Sequence, residues 1–250
     1  MRRVLWCVAL PLFVVLTAAS FRVAEAITTE EVLAKIAKGE AEVKSFESDS
    51  QTVPNVGPKE RQFTVHFAVE FVVKDGNPAV HRLYRKTQIK MPDGGTVTRL
   101  DVYDGEFMWT ESREGATGKL NVTKKNPGIL RKRVDGKLVI GEASVALRMT
   151  ELFDLKLLSE ELVDGQKTWV LEGPPKSPDA IPGKMRIFVT QDDLAARRTI
   201  AYDKDGKKAA EVQFSNVKVN QPINPSLFRY TSPEGAKVED QTKPREEPRK

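Results

Sequence analysis

The chain has 250 residues, 40% of them apolar, enough for one large all-β or α+β domain or two small ones. Its 40 Lys and Arg against 35 Asp and Glu give a net charge of +5. The two signs are interspersed along the sequence, which argues against a dedicated nucleic-acid binder.

Residues 1–26 read as a secretory signal peptide. Arg2 and Arg3 form a positive n-region, residues 4–16 are almost wholly apolar, and Ala24-Glu25-Ala26 is a small-x-small cleavage pattern, with cleavage expected after Ala26. The apolar run of 13 residues is short for a bilayer span, and the alternative is a retained anchor. Cys7, the only cysteine, lies inside this run, so the mature chain is expected to lack disulfides, thiolate metal sites and a cysteine nucleophile. Loss of Arg2, Arg3, Arg22 and Glu25 lowers the charge to +3. An exported, uncrosslinked chain fits a bacterial periplasm.

Thr28-Thr29-Glu30-Glu31 is a capping sequence that predicts a helix through Val32, Leu33 and Ile36, ending at Gly39 or running on to Lys44. The next strong signal is a strand. Phe63, Val65, Phe67, Val69, Phe71 and Val73 alternate with a mostly polar set, giving one bulky apolar side. Asp-Gly occurs six times, at 75, 93, 104, 135, 164 and 205, between apolar runs. That pattern predicts an antiparallel meander joined by hairpins with type I′ turns. A second helix is expected over residues 143–159, from the broad apolar pattern that includes Leu147, Leu152, Phe153 and Leu155; whether it is one helix or two is open. Four prolines make residues 173–183 a loop. Strands follow at Met185-x-Ile187-x-Val189 and Ala210-x-Val212-x-Phe214. The charged tail 237–250 is expected to be disordered. Residues 27–236 form one expected domain.

Catalytic patterns are missing. His66 and His81 suggest a two-histidine metal site only against the stronger expectation of two strand surface residues. Asp192-Asp193 reads as a turn, and the basic residues at 124–133 as a solvated loop or a contact for anionic head groups. Neither a nucleophile elbow nor a phosphate-binding glycine loop is present. A binding protein without a cofactor is expected, with an enzyme using carboxylates as a competing reading.

The order of segments resembles the LolA-like family, periplasmic carriers and sorting proteins for outer-membrane lipoproteins. The resemblance rests on Asp104-Gly105 followed by Phe107-Met108-Trp109, and on Val217-x-Val219-Asn220, Pro222, Pro225-x-x-Phe228 and Pro233-x-Gly235. It implies an α+β, mainly β fold: an unclosed antiparallel β-barrel, or half-pipe, with helices across the concave face. It also implies a cavity for acyl chains of lipoproteins or free lipid. Phe63, Val65, Phe67, Val69, Phe71 and Trp109 are expected to line that cavity. Leu147, Phe153 and Leu155 of the second helix are expected to fill it when empty. Arg85, in "YRKTQIKMPDGG", is the counterpart offered for the family's lid-holding arginine, although the proline there comes late and no phenylalanine-arginine pair is present. The implied protein is a monomer that delivers lipoproteins to the outer membrane through inner- and outer-membrane docking proteins. The alternative is a lipid-sensing regulator of the cell envelope with the same fold.

Overall fold

A computed structural model describes residues 27–54, 62–74, 77–91, 93–115, 118–127, 133–134, 137–138, 152–177 and 182–242. Helix α1 (Thr29–Ala41) precedes strands β1 (Ser45–Pro54), β2 (Gln62–Lys74), β3 (Asn77–Lys90), β4 (Thr96–Tyr103), β5 (Met108–Glu114) and β6 (Leu120–Lys125). A small pair, β7 (Arg133–Val134) and β8 (Lys137–Leu138), stands apart. Then come β9 (Lys156–Val163), β10 (Gln166–Gly173), β11 (Lys184–Thr190), β12 (Ala196–Tyr202), β13 (Lys208–Val219), a 3-10 helix (Pro225–Phe228) and β14 (Val238–Gln241).

Twelve strands make one open sheet in the order β14-β6-β5-β4-β3-β2-β1-β13-β12-β11-β10-β9. The edges β14 and β9 do not pair with each other, so the barrel is unclosed. Ladders are antiparallel except β14 on β6. Bulges at Glu47/Asp49, Glu70/Phe71, Val170/Leu171, Phe188/Val189 and Ala201/Tyr202 add local twist and bend to the strands.

The meander is as expected, but its turns differ in kind. Among the described residues, only Asp164-Gly165 has both residues of the pair at positive φ, 50° and 76°, as a type I′ turn needs. At Asp93-Gly94, Asp104-Gly105 and Asp205-Gly206 the glycine alone is left-handed. The aspartate's job there is different: Asp104 Oδ1 accepts from Glu106 N and Phe107 N, both at 2.8 Å, and folds the β4–β5 loop from inside. Residues 75–76 and 135–136 lie outside the described residues.

The capping box at Thr28 forms as expected. Thr28 N donates to Glu31 Oε2 at 2.9 Å, and Glu31 N to Thr28 Oγ1 at 3.2 Å. The helix runs through Gly39, where a Cβ would lie 2.2 Å from Leu194 Cδ1. That glycine ends nothing; it lets α1 sit against the β11–β12 turn. Val32 and Ile36 bury themselves completely against Trp169, Leu171, Ile187 and Val189 on one face of the sheet. The opposite face carries the C-terminal segment, where Ile223 and Phe228 pack on Ala68 of β2 beside Tyr84 of β3.

The helix expected over 143–159 is contradicted at its C-terminal part, because Lys156–Val163 is strand β9, paired with β10. A short run rich in leucine satisfies either period, and the hydrogen-bonding partner decides between them. Residues 139–151, including Leu147, lie outside the described residues. The expectation of a disordered tail from Lys237 fails for Val238–Gln241, which form β14, with Asn126 Nδ2 donating to Thr242 O at 2.9 Å. Residues 243–250 lie outside the described residues.

Candidate functional site

The strand register decides which side chains share a face, because directly opposed residues in an antiparallel pair point the same way. Val219, Phe46, Val69, Leu83, Tyr103 and Met108 are linked by direct pairing across β13, β1, β2, β3, β4 and β5. Two residues along, Ser48, Phe67, Arg85, Asp101 and Thr110 form the next row. A third row holds Ser50, Val65, Thr87, Arg99 and Ser112, and a fourth holds Thr52, Phe63, Ile89, Val97 and Glu114.

This face is continuous with the one that carries α1. Ser50 opposes Phe214 of β13, and Phe214 packs against the cluster under the helix. The two apolar regions nevertheless remain separate. Phe46, Phe67, Val69 and Leu83 cluster with Ala195, flanked by Val43, Val65, Phe71 and Val80, and no α1 residue belongs to that cluster among the described residues. Of the strand residues expected to line a cavity, Phe67 and Val69 are buried, while Phe63, Val65 and Phe71 are half-buried. The structure brings Val65, Phe67, Val69 and Phe71 together in this strip; Phe63 lies farther along the same face of the strand.

Trp109 does not belong with them. It opposes Val102, which opposes Tyr84, which opposes Ala68, so it points to the other side of the sheet from Phe67. There it stacks on Tyr230 at 5.1 Å between ring centroids and donates from Nε1 to Asp104 Oδ2 at 3.0 Å. Lys124 Nζ sits 3.6 Å from the Phe107 ring centroid beside it. The two-residue alternation from β2 could not place Trp109, because its face depends on how β4 and β5 register.

Phe153 and Leu155 are also placed differently from expectation. Both are buried in the core under α1, with Trp169 and Leu171. Phe153 forms a bridge to Pro175, Asp154 N donates to Pro174 O at 2.9 Å, and Lys176 N donates to Leu152 O at 2.8 Å. These contacts hold the segment as part of the scaffold.

Arg85 lies in the row of Phe67, half-exposed, with Nη2 2.9 Å and Nε 3.2 Å from Asp101 Oδ2. Arg99 grips the same carboxylate through Nη2 to Oδ1 at 3.0 Å and Nε to Oδ1 and Oδ2 at 3.1 and 3.0 Å. Thr110 Oγ1 donates to Asp101 Oδ1 at 2.9 Å. Asp101 is only 2% exposed. Burial pushes its carboxyl up, but the hydrogen bonds from Arg99, the charge and bonds of Arg85, and the Thr110 hydroxyl hold it below the ordinary carboxylate value. The bond to Asp101 in turn raises Arg99. Nothing in the strand pattern singles out Arg99 and Asp101. A charged side chain in a sequence that otherwise alternates was the only available signal, and it reads equally well as solvent-facing.

His66 Nδ1 is 2.6 Å from Asp49 Oδ1, on the face opposite Phe67, and no cluster of three metal-ligating side chains occurs among the described residues. Asp192-Asp193 is the turn expected, with Asp193 accepting from Ala195 N at 3.1 Å and pairing with Arg197.

A family model described only as an uncharacterized protein matches residues 137–241. No curated protein matches the chain. Among solved structures, an uncharacterized conserved protein from Thermus thermophilus is similar at 15% identity and a TM-score of 0.48, over 85% of this chain and 98% of its own. LprF from Mycobacterium bovis is similar at 13% identity and a TM-score of 0.46, over 78% of this chain and 94% of its own. The MucA/MucB complex of Pseudomonas aeruginosa contains a chain similar at 14% identity and a TM-score of 0.41, over 80% of this chain and 61% of its own.

Proposed function

We propose that this protein binds the acyl chains of lipoproteins or other lipids along the β1–β3 part of the α1-bearing face, as a non-enzymatic carrier or sorting protein of the periplasm. The observation that supports this best is the division of that face into two apolar regions. One, on β10 and β11, is the seat of α1. The other, Phe46, Phe67, Val69 and Leu83 with flanking Val65 and Phe71, is a second aromatic-rich strip outside the helix's cluster. The resemblance of the sequence to LolA-like carriers supports the same reading.

Energetics explain how such a site releases its cargo. At ~0.8 kcal/mol per methylene, burying a palmitoyl-sized chain contributes on the order of 10 kcal/mol, too much for ready handover. Phe67, Val69 and Leu83 are already buried here. A lipid therefore exchanges with contacts the strip already makes, and net affinity is the difference between the two. Phe153 and Leu155 lie in the core beneath α1, apart from the strip where this exchange is proposed. Delivery to the outer membrane through inner- and outer-membrane docking proteins is the finer part of this proposal.

Delipidated protein titrated with a palmitoyl lipid and read by native mass spectrometry tests the reading. One bound lipid is expected, weakened by Phe67→Ala. No adduct with any acylated ligand overturns it.

A further inference from the structure

We infer that the Arg85–Asp101–Arg99 cluster is an anion subsite for the head group of an amphiphile whose chain lies on the neighbouring strip. This rests on the lipid reading above and adds a charge requirement to it. Two guanidinium groups converge on one carboxylate that is almost wholly buried, leaving one positive charge in excess. The adjacent side chains on that face, Ser48, Ser50, Thr87, Ser112 and Thr123, are neutral and polar. The other acids on this face of β1–β6 and β14 among the described residues are Glu114, exposed at the end of β5, and Glu239, exposed on the edge strand opposite Thr123. Neither forms an ion pair with Arg85 or Arg99, whose carboxylate partner is Asp101.

The geometry is that of a prepared anion receptor. Asp101 holds both arginines by their Nε and Nη2 atoms. Among the described residues their Nη1 atoms have no partner, and the Arg85 and Arg99 side chains are 35% and 50% exposed. Fixing the guanidinium planes in advance removes part of the ordering cost of binding an oxyanion. Position completes the case. Arg85 is the direct neighbour of Phe67 across the β2–β3 ladder, and Arg99 lies in the row of Val65. Charged and apolar binding surfaces are thus one residue apart, which matches a molecule with an anionic head and a long chain. Carboxylate and phosphate satisfy this chemistry equally well.

The test uses the full chain and matched pairs of ligands: oleate against methyl oleate, and phosphatidylglycerol against diacylglycerol of the same chains. Wild type should prefer the charged member of at least one pair by about tenfold, with the preference falling as salt rises. The pair that shows it identifies carboxylate or phosphate as the head group. Arg99→Gln should erase the preference while leaving the neutral ligand's affinity unchanged, and Arg99→Lys should keep part of it. The unchanged neutral affinity shows that the variant is folded. Equal binding of charged and neutral members by wild type overturns the subsite and leaves the acyl reading standing. A preference that survives in both Arg85→Gln and Arg99→Gln also overturns it. No binding of any of the four overturns both.

Discussion

Arg85 stands directly opposite Phe67 in the β2–β3 ladder, so a guanidinium and a phenyl ring occupy neighbouring places on one face of the sheet. The arginine is held there by Asp101, which also holds Arg99. Removing the shared anion leaves two like charges side by side. Asp101→Asn should cost about 2–3 kcal/mol, moderated because both arginines can rehydrate. Urea unfolding at neutral pH measures it. The folded carboxyl is lowered, so its contribution is present above the unfolded value of 3.8 and is lost as pH falls through the folded one. Wild type and variant should therefore converge in stability at strongly acidic pH.

Trp109 reports on the C-terminal segment rather than on the apolar strip. Tyr230 stacks on it and donates to Glu111 Oε2 at 3.0 Å. Tyr230→Ala should shift Trp109 emission, measured in a Trp6→Phe/Trp169→Phe background, and destabilise by about 1–2 kcal/mol. Lipid addition in that background, with Tyr230 intact, should leave the emission unchanged.

Tyr230 should also ionise late. Burial, then the bond and charge of Glu111, push its hydroxyl up to about 12. A raised value means the folded state keeps the proton. Its contribution is complete below 10 and is lost as pH rises towards about 12. Phenolate absorbance should show a late-titrating tyrosine that Tyr230→Phe removes.

Gly173 is where the segment 152–155 touches β10. A Cβ there would lie 1.9 Å from the Asp154 carbonyl oxygen, a backbone atom that cannot step aside. Gly173→Ala should destabilise by about 3 kcal/mol, and thermal unfolding measures it. The same change at Gly165, with open space around its Cβ position, should cost less and act through its positive φ of 76° alone.

Glu211 lies on the opposite face in contact with Lys208, Gln213 and Arg198, the last at 2.6 Å. Burial works against its ionisation, but those three partners lower it to about 2. Its contribution is present above the unfolded value of 4.5 and is lost as pH falls towards about 2. Glu211→Gln should lower the urea midpoint at pH 7, with the difference vanishing near pH 2.

Local chemistry was readable wherever one segment contains all the interacting parts. The Thr28 capping box, the two-faced strand from Phe63 and the turn at Asp164-Gly165 each involve a few consecutive residues, and each formed as read. Several motif residues proved to be local fasteners. Asn220, at φ 56°, accepts from Lys44 N at 2.6 Å and ties the end of β13 to the start of β1. Asn224 caps the 3-10 helix that buries Phe228.

Alternation in the chain alone was enough to give the period and the hydrophobic side of β2, because side chains alternate faces along any extended backbone. That Trp109 turns away from Phe67, that Lys156–Val163 is a strand, and that Arg85 and Arg99 converge on Asp101 were settled by how the strands pair. Each of those depends on the register or pairing of one strand with another, and in an antiparallel ladder a shift of one residue exchanges the two faces.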